Sequence, residues 1–161
     1  MTKAKPIKRS NALVKFSKDH HFALLLIWKV RQGVRLNIEN ERISKYLIFF
    51  FENYLKAHFK EEEELLFVHL ESDSISRRTA EQHHKALSEM AAQIKSHPGI
   101  TVTTEFINTL EKHIRFEERE LFNELQTMLS EAALNMIAEK MEASHPNEKE
   151  DNWNDTFWLK K

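Results

Sequence analysis

The stretch HFKEEEELLF at residues 58–67 places four consecutive glutamates directly before the apolar sequence Leu-Leu-Phe. A near repeat, HIRFEERELF, follows at residues 113–122. In both stretches a histidine stands four positions before a glutamate, as His58 stands before Glu62. Residues four apart lie on the same face of an α-helix. Each stretch therefore predicts a helix that points one imidazole and one carboxylate in the same direction.

Apolar residues at matching positions indicate that both of these faces point into a hydrophobic core. Phe51, Leu55 and Leu65 lie close to the face of the first pair, and Phe106, Leu110 and Leu121 lie close to the face of the second pair, His113 and Glu117. The sequence Leu66-Phe67 after the first pair also matches Leu121-Phe122 after the second. A buried carboxylate without a partner is very costly, so buried charges are normally paired or bound to a metal. No lysine or arginine is predicted on the inner face beside Glu62, and a divalent cation would offset the cost.

The composition favours a globular helical domain. Of the 161 residues, 41% are apolar and 30% are charged, and only two are glycine and three are proline. So few turn residues favour long helices over hairpins. The net charge of −1 gives no reason to expect nucleic acid or an anionic membrane as a partner.

The chain contains no cysteine, which excludes disulfides and thiolate metal sites. Its longest apolar runs are much shorter than the roughly 20 residues of a membrane-spanning helix. The N-terminus lacks the apolar core of a signal peptide. We therefore expect a cytoplasmic protein.

We predict an all-α fold, an antiparallel up-down-up-down four-helix bundle with a short extra C-terminal helix. The first long helical pattern covers about residues 13–36, and the second runs from residue 39 or 40 to 71. The third begins at a cap within 72–76 and ends at the break SHPGI, 96–100, and the fourth runs from a cap at Thr101 or Thr103 to Met128. The short extra helix covers about 131–141. The bundle is predicted to occupy residues 13–143, between an N-terminal tail, 1–12, and a C-terminal tail, 144–161.

The C-terminal tail loses the helical pattern but contains Trp153, Phe157 and Trp158. One interpretation is that these rings pack back onto the bundle. The other is that they form a docking segment for a partner or a neighbouring subunit.

The first helix supplies further imidazoles. Its inner face is predicted to contain Phe16, Leu24, Ile27, Val30 and Val34. His20 lies on this face, whereas His21 lies about 100° round the helix. Trp28 is expected in the core.

The third helix completes a set of donors. His84 precedes Leu87 by about one turn, and His83 also fits by phase. One histidine from each of the four helices, with Glu62 and Glu117, makes six donors. Imidazole with carboxylate suits iron, manganese or zinc rather than calcium or magnesium. Two carboxylates able to bridge would serve two metals better than one.

These motifs resemble those of the hemerythrin-like, or HHE cation-binding, family over about residues 13–130. The resemblance implies a helical bundle around two iron ions joined by an oxo or hydroxo bridge, with manganese or zinc as the other candidate metals. The metal ligands that it implies are His20 or His21, His58, Glu62, His84, His113 and Glu117. The spacing typical of the family suits His21, whereas helical phase favours His20.

The chain departs from the oxygen carriers of the family one turn before the third-helix ligand. These carriers have a fifth histidine there, and this chain has Ala80 followed by Glu81. Glu81, Glu61 or a water would then complete the coordination. The resemblance favours relatives linked to oxygen or redox sensing, iron handling and nitrosative-stress repair.

Three functions follow as hypotheses. The first is a di-iron protein that binds or senses oxygen or a related small oxidant, or handles iron, with a diatomic molecule or a peroxide as its ligand. The second is a metal-dependent oxidoreductase or stress-repair enzyme. The third is a metal-free helical interaction module that acts through its aromatic tail. A homo-oligomer is compatible with each.

The remaining polar residues near the motifs are expected to have ordinary roles. Solvated helix faces are predicted for Glu63, Glu64, Glu118 and Glu120, and for Glu61 if it does not complete the coordination. A solvated tail is predicted for the basic residues Lys3, Lys5, Lys8 and Arg9. Tyr54 lies one turn before His58 and is expected in the core, from where its hydroxyl would reach a metal-bound histidine.

Overall fold

The computed structural model describes residues 8–144 and 151–159, and every regular element within those ranges is helical. Three helices are regular throughout: α1 (Asn11–Arg35), α3 (Ile75–Ser96) and α5 (Glu131–Ser144). Helix α2 consists of Asn40–Phe50, a π-helical turn at Phe51–Leu55, and Lys56–Leu65. Helix α4 consists of Ile100–Phe116, a π-helical turn at Glu117–Leu121, and Phe122–Met128. A short 3-10 turn, Phe67–His69, follows α2. None of the described helices combines the length and apolarity that crossing a bilayer requires.

Serine side chains cap the N-termini of two of the long helices. The Ser10 hydroxyl accepts a hydrogen bond from the Ala12 N–H at the start of α1, and the Ser74 hydroxyl accepts one from the Arg77 N–H at the start of α3. Each bond satisfies one of the backbone donors that a helix leaves unpaired at its first turn. The predicted cap within 72–76 is thereby confirmed.

The predicted cap of α4 at Thr101 or Thr103 is wrong. Gly99 is the N-cap, and the helix begins directly after the break. The Thr103 N–H already donates to the Gly99 carbonyl, and the Thr103 side chain is buried in the core. A side chain committed to the core cannot act as the cap.

A π-helical turn interrupts each of α2 and α4. The Lys56 N–H bonds to the Phe51 carbonyl, and the Phe122 N–H bonds to the Glu117 carbonyl, so each turn spans five residues instead of four. In α2 the buried residues Phe50, Phe51 and Leu55 lie directly before or within this turn, and Tyr54 is half-buried against the same part of the core. The two turns thus lie in the helices that contain the paired motifs, close to His58 and at Glu117.

The apolar core consists of two clusters. The first apolar cluster contains, among others, Ala23, Ile27 and Val30 of α1, Leu47, Phe50 and Leu55 of α2, Leu87 and Ile94 of α3, and Phe106, Leu110 and Ile114 of α4. The second apolar cluster contains, among others, Leu13 and Phe16 of α1, Leu66 and Phe67 after α2, Ala80 of α3, Leu121, Phe122 and Leu125 of α4, and Ile137 and Met141 of α5. Helices α1, α3 and α4 thus contribute residues to both clusters. Helix α2 contributes to the first cluster, and the residues that directly follow it contribute to the second.

The long helices pass between the clusters in alternating order. Along the chain, α1 and α3 run from the second cluster to the first, and α2 and α4 run from the first to the second. In each helix the predicted donor residues lie between the two groups of apolar residues, as His20 lies between Phe16 and Ala23. A polar layer therefore interrupts the core.

The predicted inner face of α1 is partly wrong. Phe16, Ile27 and Val30 are buried, but Leu24 is 40% exposed and Trp28 is 52% exposed. The run ALLLIW has apolar residues on every side of the helix, so its composition alone does not select a face. At the end of α4, Met128 is also half exposed, contrary to the prediction.

The C-terminal aromatic segment, residues 151–159, packs onto the bundle, which confirms the first interpretation of the tail. Phe157 and Trp158 are buried in the first apolar cluster, and Trp153 packs against it. The rings surround Tyr46 of α2, at 5.4 to 5.7 Å between ring centroids.

Polar contacts fix the same segment at its first residue, Asp151, and at its middle, Asp155. The Tyr46 hydroxyl bonds to the Asp151 carboxylate, and Lys29 Nζ lies 3.5 Å from the same carboxylate and 4.2 Å from the centre of the Trp158 ring. Arg42 donates two hydrogen bonds to Asp155, at 2.9 and 2.7 Å. The segment is thereby bound to both α1 and α2.

Candidate metal centre

The polar layer brings two overlapping groups of potential metal ligands together. The His20/His58 group consists of His20, His58, Glu62 and Glu117, and the His84/His113 group consists of Glu62, His84, His113 and Glu117. Within each group the ligand atoms lie within 4.8 Å of one another. The two glutamates belong to both groups, so each carboxylate can serve two cation positions.

In the His20/His58 group, His20 Nε2 lies 2.9 Å from Glu117 Oε1 and 3.7 Å from Glu62 Oε2. His58 Nε2 lies 3.3 Å from Glu62 Oε1, at an angle that does not make a hydrogen bond. The imidazoles thus approach both carboxylates.

The His84/His113 group is equally compact. His84 Nε2 lies 3.0 Å from Glu62 Oε1, and His113 Nε2 lies 3.0 Å from Glu117 Oε1. The two Nε2 atoms are themselves only 3.2 Å apart. Four donor atoms therefore converge on one small space.

The acidic groups of the layer are sealed from solvent. Glu62 and Glu117 are both 0% exposed, and the four histidines are all buried. Glu62 Oε2, Glu117 Oε2 and His58 Nε2 have no hydrogen-bond partner. Unpartnered buried atoms of this kind are costly unless something else binds them. The donor set and its unpartnered atoms fit a cation.

The structure places the neighbouring histidines of each pair differently. His20 is in the donor group, whereas the His21 side chain is exposed and belongs to neither group. In α3, His84 is in the donor group and His83 lies beside it, half-buried. Helical phase, rather than the spacing typical of the family, thus identified the inward-facing histidine of α1.

Each of the four buried histidines also has a side-chain partner at its outer nitrogen, Nδ1. These contacts are His58 to Asp19 at 3.0 Å, His84 to Glu63 at 3.0 Å, His113 to His83 at 3.1 Å, and His20 to Glu118 at 3.1 Å. Each partner stands next in sequence to a residue of the donor groups and supports a histidine on another helix. The contacts lead from α1 to α2, to α3, to α4 and back to α1, so they form a closed ring around the layer.

Glu63 and Glu118 contradict the expectation of solvated side chains. Both are partly exposed, but one carboxylate oxygen of each binds a buried imidazole. Arg9, also expected in solvent, donates to the Glu118 carbonyl at 2.7 Å and lies 3.3 Å from its carboxylate. The outer contact of His58 is with Asp19, where the sequence suggested Tyr54.

The charges of the layer shift the pKa values of its members in the metal-free chain. Burial alone would lower the pKa of His58, but Glu62 and Asp19 outweigh burial and raise it to about 10. Burial likewise disfavours the His113 cation, yet Glu117 and Glu62 raise the pKa of His113 to about 9. Burial would raise the pKa of Glu62, and the surrounding imidazoles lower it instead. Protonated imidazoles therefore balance the buried carboxylates when no cation does.

Aromatic rings enclose the layer. Phe59 stacks on His84 with 4.1 Å between centroids, and Phe122 stacks on His20 with 5.3 Å between centroids.

A pocket of about 330 Å³ opens to solvent beside His84. Its lining includes Lys56, Phe59, Lys60, Glu63, Glu81, His84, Lys85 and Ser88. The layer is thus shielded from solvent, and an open pocket reaches His84 from one side.

Comparison with known proteins identifies the family. A family model described as Hemerythrin HHE cation binding domain matches residues 12–125. Comparison with curated proteins and with solved structures gave no significant match. The matched region contains all six residues of the two donor groups, and the chain belongs to the hemerythrin HHE cation-binding domain family.

Proposed function

We propose that the chain binds two iron ions, one in each donor group, and that its role is to bind or sense dioxygen or a related small oxidant. Glu62 and Glu117 are the residues available to both ions, and His20, His58, His84 and His113 complete the set. Manganese and zinc suit the same donors, so metal identity is decided by measurement.

One observation carries the proposal. The Nδ1 atom of His84 faces the carboxylate of Glu63 and its Nε2 atom faces the carboxylate of Glu62, both at 3.0 Å, so a neutral His84 ring can donate to only one of them. The Nε2 atoms of His84 and His113 then meet 3.2 Å apart, beside buried carboxylate oxygens. Lone pairs and anions directed at the same space repel one another unless a proton or a cation lies between them.

The donor count supports a ligand-binding role. Each group supplies two imidazoles and two shared carboxylates, and iron held by histidines and carboxylate in this way commonly keeps open positions. When bound, an iron pair supplies redox chemistry and coordination positions for a small oxidant. Ala80, where oxygen carriers of the family have a further histidine, supplies no donor, and Glu81 is exposed and pairs with Arg77.

The protein residues would prepare the site for this ligand. Asp19, Glu63 and Glu118 fix the tautomer and orientation of three histidines through their outer nitrogens. The stacked rings of Phe59 and Phe122 exclude water from the layer. Because the histidines are buried, only a small molecule would reach the centre without rearrangement of the helices.

The proposal includes an antiparallel up-down-up-down four-helix bundle as the scaffold. Its support is the alternating order in which α1, α2, α3 and α4 pass between the two apolar clusters. In such a bundle the donors of facing helices meet at one level of the core.

A metal-dependent oxidoreductase is the second candidate. The observation that favours it is the pocket beside His84, which would admit a substrate close to one cation position. Turnover of peroxide or nitric oxide that is lost in His58→Ala would establish this activity. An iron-loaded protein without turnover would leave the binding or sensing role.

The test of the first proposal is simultaneous iron and zinc analysis of aerobically purified protein, together with its ultraviolet-visible spectrum. We expect about one iron for each donor group and charge-transfer bands that a chelator removes. Stoichiometric zinc would contradict the iron assignment. A metal-free protein whose stability ignores chelators would instead favour the interaction module, because a cation bound to the folded state must stabilise it.

A further inference from the structure

The four outer partners of the buried histidines are not chemically equivalent. Asp19, Glu63 and Glu118 are carboxylates, but the partner of His113 is the imidazole of His83. His83 is therefore the one member of the ring of outer contacts that carries no negative charge.

Hydrogen-bond geometry fixes the protons at this contact. If His113 binds a cation through Nε2, that atom must hold a lone pair, and the proton of the neutral ring is on Nδ1. His113 then donates from Nδ1 to His83 Nδ1, 3.1 Å away. His83 must accept at that atom, so its own proton is on Nε2 and its ring is neutral.

A neutral acceptor supports a metal-binding histidine less than an anionic one does. A carboxylate at the outer nitrogen polarises the ring and strengthens its donor atom. Both histidines of the His20/His58 group have such a partner, and both partners are 28% exposed. In the His84/His113 group, Glu63 is 49% exposed, so water screens it more, and His83 has no charge to offer.

We propose that His83 is a positioning residue for His113 and that it makes the His84/His113 group the weaker of two cation positions. This inference rests on the proposed function, because it presupposes that both groups bind cations. The first cation then occupies the His20/His58 group, and the second follows at a higher concentration.

The test is isothermal titration of metal-free, full-length protein with zinc, which binds the same donors without redox change. We expect two binding steps whose dissociation constants differ by about tenfold or more. His84→Ala should keep the tight step, and His58→Ala should keep the weak one. A single step with equal affinities would overturn the inference while leaving the proposed function intact, whereas no binding at all would remove both.

Two substitutions at His83 separate charge from shape. An Asp or Asn oxygen stands close to the place of the imidazole Nδ1, so both variants retain an acceptor for His113. His83→Asp should tighten the weak step by about 10- to 100-fold and leave the tight step unchanged. His83→Asn, the neutral control, should leave both steps unchanged. The inference fails if the two variants behave alike, or if the tight step is the one that moves.

Discussion

Two ring atoms of Phe157 lie 2.7 and 2.8 Å from the point that a β-carbon on Gly33 would occupy. Real β-carbons essentially never approach other heavy atoms so closely. Residue 33 lies inside α1, where glycine costs about 1 kcal/mol relative to alanine. The close approach of the C-terminal aromatic segment explains why glycine stands there.

Gly33→Ala should displace the C-terminal aromatic segment. The added methyl meets the Phe157 ring, and overpacking of this kind costs about 1–3 kcal/mol, which exceeds the gain of about 1 kcal/mol in helix propensity. We expect a red shift of tryptophan fluorescence as Trp153 and Trp158 become solvated, and a lower free energy of unfolding.

The effect of Gly33→Ala on the free energy of unfolding should change sign when the Phe157 ring is removed. In a Phe157→Ala background, Gly33→Ala should be neutral or stabilise by up to about 1 kcal/mol, because only the helix propensity remains. Gly99→Ser controls for the steric effect alone, since a β-carbon there has nothing closer than 3.9 Å; because Gly99 is the N-cap of α4, serine should leave stability unchanged or raise it slightly. Destabilisation by Gly33→Ala in both backgrounds would show that the Phe157 contact is not the cause.

Adjacent histidines in α1 provide a paired test of the metal centre. His20→Ala should abolish cation binding at the His20/His58 group, because His20 Nε2 lies 2.9 Å from Glu117 within the sealed layer. His21→Ala should leave metal content unchanged, because the His21 side chain is exposed. Metal analysis of the two variants purified in parallel is the measurement. Equal losses, or a loss confined to His21→Ala, would contradict the placement of the donors.

Adjacent glutamates in α2 test the outer contacts. Glu63→Gln keeps the shape of the side chain but removes its charge from His84 Nδ1, and removal of such a partner typically costs 10- to 100-fold in metal affinity. The exposure of Glu63 favours the lower end of that range. Competition with a chelator measures the effect.

Glu64→Gln is the matched control for this test. Glu64 is exposed, and its carboxylate lies 3.9 Å from Lys60, so its change should leave cation affinity unaltered. If the two variants have the same affinity as the parent chain, the carboxylate at His84 does not strengthen that histidine.

The metal-free chain should be most stable in weakly acidic solution. The pKa values of His58 and His113 are raised from 6.5 to about 10 and about 9, so their stabilisation is full below pH 6.5 and is lost as the pH rises towards 10. The pKa of Glu62 is lowered below 4.5, so its stabilisation is present above pH 4.5 and is lost at lower pH. Denaturant unfolding from pH 4 to 10 checks this dependence, and a rise in stability above pH 7 would contradict it.

Cation affinity should depend on pH with the opposite sign. A cation must displace the protons of His58 and His113, so binding releases protons and becomes tighter as the pH rises through neutrality. Zinc titrations at pH 7 in buffers of different ionisation enthalpy measure the release. A binding enthalpy that is independent of the buffer would mean that the histidines are neutral before the cation arrives.

The sequence predicts the donors because their spacing needs only the geometry of a single helix. The paired motifs place His58 with Glu62 and His113 with Glu117, and the burial of these four side chains confirms that they point into the core. The helical class of the fold follows from the scarcity of glycine and proline. The Ser74 cap is likewise a local signal, and the structure contains it.

The outer contacts escape such reasoning because they connect different helices. Glu63 and Glu118 lie about 100° away from the inner face, which by itself is typical of a solvated flank. Only the angle and distance between neighbouring helices bring their carboxylates to His84 and His20. Each of these two glutamates directly follows an inward-facing donor in the sequence. That position is the signal from which their contacts could have been predicted.

The π-helical turns and the face of α1 are missed for a different reason. A π-helical turn adds one residue to a turn of the helix, and a fixed period of 3.6 cannot represent it. Leu24 and Trp28 belong to a run that is apolar all round, so packing by the other helices decides which of its residues are buried.

The polar layer also affects how cooperatively the molecule unfolds. The C-terminal aromatic segment belongs to the first apolar cluster and α5 to the second, so each cluster has its own reinforcing element. With cations bound, coordination links the four long helices at the boundary between the two halves. Without them, the boundary is held by protonated imidazoles whose charge depends on pH. If the proposed iron ions occupy the layer, iron supply would set whether the chain melts as one cooperative unit or as two, which would couple the lifetime of the protein to the availability of iron.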